Sequence, residues 1–135
     1  MTRKEIFQWV KEQYGTEPDY PWKDQNAVLR HCENKKWYGL IMKVRSDRLG
    51  LQGEDMIDIL NVKSDPMLVG VLRTQPGFLP AYHMNKDQWI TVCLDGSVAE
   101  QEIKNLIDVS FHLTKSKNRQ QNRTNACADS DQKFC

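Results

Sequence analysis

Hydrophobic positions recur at helical spacing in "TRKEIFQWVKEQYG", where Ile6, Phe7, Val10 and Tyr14 share a face. That period predicts an opening helix, with Thr2 and Glu5 in the form of a capping box and Gly15 as the stop. The next stretch, "TEPDYPWKDQN", is broken by Pro18 and Pro21 and predicts a loop. The pattern then tightens in "AVLRHCENKKWYGLIMKV", which predicts two strands around a polar turn, Glu33-Asn34-Lys35-Lys36. "RSDRLGLQGED" is a polar connector, and "MIDILNV" alternates as a third strand. In "SDPMLVGVLRTQPG" the period returns to helical. Ser64 is the expected N-cap, Pro66 sits in the first turn, and Met67, Leu68, Val71 and Leu72 form the apolar stripe. "LPAYHM" and "WITVCL" predict a second hairpin around Asn85-Lys86-Asp87-Gln88, with Ile90, Val92 and Leu94 on one face and Trp89, Thr91 and Cys93 on the other. After the "DGS" turn, Ser97 and Glu100 have the form of a capping box. They open a last helix with Ile103, Leu106, Ile107, Ser110 and Phe111 on one face.

The predicted order is α-β(3)-α-β(2)-α. Antiparallel hairpins with helices gathered on one face make an α+β two-layer sandwich. Residues 1–115 form the expected domain. Residues 116–135, beginning "SKNRQQNRTNACADSDQK", are polar and expected to be a flexible tail.

Charge narrows the classes of partner. The chain carries 19 Lys+Arg and 18 Asp+Glu; residues 116–135 contribute +2 of the net +1, leaving −1 on residues 1–115. A nearly neutral domain lacks the global field of a strong nonspecific nucleic-acid binder, so any such binding must come from a local patch. No apolar run is long enough for a membrane span, and the charged N-terminus has no apolar secretory core, so no membrane partner and a cytoplasmic protein are expected. Cys32, Cys93, Cys127 and Cys135 are widely spaced without a CxxC pair. They predict no disulfide framework and, with three scattered histidines, no metal site; Cys32 and Cys93 read as small apolar strand residues.

The residues offer little to an enzyme. No glycine-rich phosphate loop is present, and neither strand cysteine lies in a nucleophile elbow or at a helix N-terminus. Carboxylate pairs such as Glu54-Asp55 sit in loops. The expectation is a non-enzymatic protein without a cofactor. His31 and His83, read as strand residues, and His112 in the last helix are expected to be hydrogen-bonded side chains rather than ligands or bases. The hairpin turns offer more. Lys35 and Lys36 precede Trp37 and Tyr38, Lys43, Arg45 and Arg48 follow, and Lys86 lies between His83 and Trp89. Such cations can neutralise phosphates while aromatics lie over sugars or bases. Lysines at strand turns also serve solubility and discourage edge pairing, and Trp89 can equally pack under a helix.

"YHMNKDQWITVCLDGS" followed by "EIKNLIDVSFHL" closely resembles the C-terminal signature of the MmcQ/YjbR family, in which His-x-Asn-Lys, Trp and Asp-Gly-Ser recur. The matching residues are His83, Asn85, Lys86, Trp89, Asp95, Gly96 and Ser97. "PDYPWKDQNAVLRH" and "KSDPMLVGVLRTQPGFLPA" are similar to the family's looser N-terminal half, so the resemblance covers about residues 1 to 115. It implies the same helix and strand order, similar to type III secretion chaperones and to frataxin-like (CyaY-like) folds. It also implies DNA binding through a "double wing" of two hairpins. The wings here would be Asn34-Lys35-Lys36 and Asn85-Lys86-Asp87, with Lys35, Lys36, Arg45 and Lys86 contacting phosphates in a regulatory protein. The alternative is a chaperone-like module that holds a protein or peptide on its sheet face or edge.

Overall fold

The computed structural model of the protein describes residues 1–115. The predicted tail therefore lies outside the described residues. Three helices, α1 (Arg3–Tyr14), α2 (Pro66–Leu72) and α3 (Glu100–Thr114), accompany five strands: β1 (Ala27–Arg30), β2 (Trp37–Arg45), β3 (Met56–Lys63), β4 (Phe78–Pro80) and β5 (Trp89–Cys93). The sheet runs β1-β2-β3-β5-β4, and every neighbouring pair is antiparallel. This is the α+β fold expected from the pattern, with the five strands in the predicted sequence.

One core joins the layers. Ile6 and Val10 of α1, Val69 and Leu72 of α2, and Ile103, Leu106 and Ile107 of α3 pack on Leu29, Ile41, Leu60, Val62, Phe78, Ile90 and Val92 of the sheet. The helices therefore share one face, as their apolar stripes require. Asp58 fastens the start of α1 to that face, taking Arg3 at 3.0 Å and Lys43 at 3.4 Å. The opposite face is not bare: Val28, Leu40, Val44, Ile59 and Cys93 are all buried.

Helix ends show where local chemistry decided and where it did not. Thr2 and Glu5 form the predicted capping box, and Gly15 stops α1 in the left-handed conformation at φ 72°. For α2 the N-cap is Asp65, not Ser64, whose hydroxyl is buried and unpaired. The expected stripe is also shifted. Val69 and Leu72 face the core, whereas Met67 is 81% exposed and Val71 is exposed beside it. A seven-residue helix spans two turns, too few for the period to fix its phase.

Ala99 caps α3 without a side-chain bond, having no acceptor to offer, and the hydroxyl of Ser97, the expected cap, donates to Asp95 instead. Tyr38 is the extra residue of a bulge, since Leu29 pairs with Gly39 but Arg30 pairs with Trp37. The bulge turns the Tyr38 ring into the core, where it is fully buried, rather than leaving it as a second aromatic at the hairpin tip. His31 and Cys32 lie in the turn after β1, and His83 lies in the β4–β5 loop, so none of the three is a strand residue. Cys32 is disulfide-bonded, against expectation, and Cys93 is a free buried thiol with its pKa pushed up to about 11, chiefly by burial.

Candidate nucleic-acid interface

Strand directions decide which charged turns meet. β1 ascends into the turn at 31–36, and β2 descends from Trp37; β3 ascends to Lys63, which pairs with Trp89 at the start of β5. The 31–36 turn and the 81–88 loop therefore project from the same end of the sheet. With two strands between β1 and β5, the hairpin centres are separated by about 14 Å at a spacing of about 4.8 Å per strand. Lys35, Lys36, Lys63, Lys86 and Lys115 share this end with Glu33, Asp65 and Asp87.

Arg45 is not among them. It ends β2 at the opposite end of the sheet, where its guanidinium donates from Nε at 3.1 Å and from a terminal nitrogen at 2.5 Å to Asp47. That bidentate pair raises the Arg45 pKa and lowers that of Asp47. The structure thus separates Arg45 from the three lysines with which the sequence grouped it.

The two turns share a construction. Asn34 Oδ1 accepts the Lys36 amide at 2.9 Å, and Asn85 Oδ1 accepts the Asp87 amide at 2.8 Å. Each asparagine thereby folds an Asn-Lys-x turn, with its lysine at the middle position. Lys35 (φ 63°) and His83 (φ 62°) both adopt left-handed backbone, which tightens the two loops.

Both turns are also tied down from below. Asn34 Nδ2 donates to the Thr114 carbonyl at 3.0 Å, satisfying an open group at the end of α3. The second loop is held by a buried triangle: Asn61 Nδ2 donates to the Tyr82 carbonyl at 3.1 Å, the Tyr82 amide donates to Thr91 Oγ1 at 2.9 Å, and the Thr91 hydroxyl donates to Asn61 Oδ1. The Asn85 carbonyl accepts the Trp89 amide at 3.0 Å, and the Gln88 carbonyl accepts the Ser64 amide at 2.8 Å.

Beneath the first turn lies an aromatic nest. His31 is buried, its Nε2 2.8 Å from Thr114 Oγ1, and its ring lies against Phe111 and Tyr38. Phe111 in turn stacks on Tyr14 at 3.8 Å. Burial pushes the His31 pKa down to about 4; a hydrogen bond to the Phe111 backbone partly offsets this, while Lys115, His112 and Lys36 lower it further. Lys115 and Lys36 therefore lie close enough to act on the His31 ring. The Tyr14 and Tyr38 hydroxyls are held above their ordinary range, mainly by burial.

The Asp-Gly-Ser signature does different work. Asp95 Oδ1 accepts both the amide and the hydroxyl of Ser97, which holds its carboxyl below the usual range. Gly96 supplies φ 95° between them. The turn packs on Gly77, where a Cβ would meet Val98 Cγ2 at 2.6 Å and Ser97 Cβ at 2.8 Å. These residues sit at the other end of β5 from the lysines, so their part is to shape the chain.

Sequence reasoning missed Trp22. It is 50% exposed, and its ring meets Trp37 edge to face at 5.9 Å, immediately after Lys36. Its loop has no periodicity to place it; the available signal was a large aromatic residue in a proline-broken polar segment. Tyr82 and His83 make a corresponding edge-to-face pair at 4.2 Å beside the second turn, and Trp89 is half-buried.

The sheet edges are blunted. The Val28 amide and carbonyl both bond to Asp19, and β4 is three residues long, ending in Pro80. Among the described residues no helix is long and apolar enough to cross a membrane.

With this geometry in place, comparison with known proteins gives the relationship. The YjbR family model matches residues 11–113. The chain belongs to the YjbR family. It is 54% identical over 117 residues to the uncharacterized protein YyaQ of Bacillus subtilis, covering 85% of this chain and 99% of YyaQ. Over 53 residues, or 38% of this chain and 45% of that protein, it is 40% identical to the uncharacterized protein YjbR of Escherichia coli. A crystal structure of a Pseudomonas syringae protein is 44% identical with a TM-score of 0.83, covering 85% of this chain and all of the other. A Deinococcus radiodurans protein has the related fold at 25% identity and a TM-score of 0.66, over 86% of this chain and 80% of that one.

Proposed function

We propose that this YjbR-family protein is a non-enzymatic DNA-binding protein that grips the phosphate backbone with two basic turns. The observation that carries the reading is the emergence of both Asn-Lys-x turns from one end of the sheet. Lys36 and Lys86 form no ion pair among the described residues, so neither charge is already spent there. Lys35, Lys36 and Lys86 are the phosphate contacts; Arg45, paired with Asp47 at the far end, is not one of them. Phosphate contacts position a protein without reading bases, which fits a patch made of lysines on a neutral body. A role in regulation belongs to this same reading.

Fluorescence anisotropy with labelled DNA at low and at physiological salt tests it. Binding is expected to weaken steeply with salt and to fall by about tenfold or more in a Lys35→Ala/Lys36→Ala/Lys86→Ala variant. No binding to any DNA at low salt would sink the proposal.

A further inference from the structure

Resting on that reading of the site, we infer that its ligand is an unpaired nucleic-acid strand, with bases stacking on the exposed aromatic rings beside the two turns. Cations and a ring pair occur at or beside each turn: Lys35 and Lys36 precede Trp37, whose ring meets that of Trp22 from the loop before β1, and Lys86 follows the Tyr82–His83 pair. In an edge-to-face pair one ring meets its partner with an edge, so both of its faces remain for other contacts. Trp22 leaves half its surface in solvent, and its ring meets that of Trp37, the residue that follows Lys36 in the chain.

Base pairing and stacking close the faces of bases inside a duplex, so these rings have nothing to stack on there. Bases of a single strand are open to them, and base–aromatic stacking needs no particular sequence. The charge balance points the same way. Five lysines against three carboxylates make a weak field for a duplex, whose charge density is higher than that of a single strand. Stacking supplies what the modest field does not.

The test compares labelled oligodeoxyuridylate, oligouridylate and a duplex of equal length, titrated with the wild-type protein and with Trp22→Ala, Trp22→Phe and His83→Ala. Single strands are expected to bind about tenfold tighter than the duplex. Trp22→Ala is expected to cost about tenfold on single strands and little on duplex, with Trp22→Phe retaining most of the affinity. His83→Ala, on the other hairpin, is expected to weaken single-strand binding several-fold. It keeps the test decisive if thermal melting shows that Trp22→Ala unfolds. The tighter of the two oligonucleotides assigns the sugar. Equal or tighter duplex binding overturns the inference while leaving the phosphate-grip reading standing. So does unchanged single-strand affinity in both Trp22→Ala and His83→Ala. No binding to any of the three ligands overturns the parent reading and this one with it.

Discussion

His31 shows how one residue couples the interface to stability. Its folded pKa, about 4, lies below the ordinary value of 6.5, so the unfolded chain binds the extra proton first as pH falls. The stabilisation is full above pH 6.5 and is lost between there and about pH 4. Chemical denaturation at pH 7 and near pH 4.5 is expected to show His31 contributing a loss of about 2 kcal/mol, and His31→Gln should flatten that part of the profile. At this scale the sequence was partly legible. His31 was expected to be a hydrogen-bonded side chain rather than a base, and it is one. Its burial under Phe111 was not legible, because contact between residues 80 positions apart in the chain leaves no local trace. The burial of Tyr38 and the exposure of Trp22 left no local trace either: a bulge buried the tyrosine, and Trp22 lies exposed in an aperiodic loop with its ring against Trp37.

Among the elements, the family signature divides into a part that shapes and a part that presents. Gly77 and the Asp95–Ser97 turn close the end of β5 remote from the lysines. Gly77→Ala would force a Cβ into Val98 and Ser97 at φ 87°. Thermal or urea unfolding should show a loss on the order of 2 kcal/mol, with the other end of the sheet unchanged. The second hairpin depends instead on the triangle of Asn61, Thr91 and Tyr82. Thr91→Val removes the acceptor of the Tyr82 amide and the donor to Asn61. It is expected to cost about 1–3 kcal/mol and to speed amide exchange in the 81–88 loop; unchanged exchange there would show that the triangle does not hold the loop. Element order and the capping of α1 were readable because periods and caps are local. The caps of α2 and α3 were not. Asp65 competes with Ser64 one residue away, and Asp95 captures the hydroxyl that Ser97 was expected to lend the helix.

For the whole molecule, the ordering of strands turns scattered lysines into a patch. The sequence showed two basic turns but could not show that they share an end, since that follows from β5 inserting between β3 and β4. The same topology sends Arg45 to the far end. The central claim is that one DNA strand or duplex meets both turns at once, and the salt dependence of binding tests it most directly. The slope of log affinity against log salt should become shallower by about two when Lys35, Lys36 and Lys86 are all replaced by alanine. Lys36→Ala and Lys86→Ala alone should each remove part of that change, and Arg45→Ala none. A slope that is unaltered by the lysine replacements, or reduced as much by Arg45→Ala, would contradict the account.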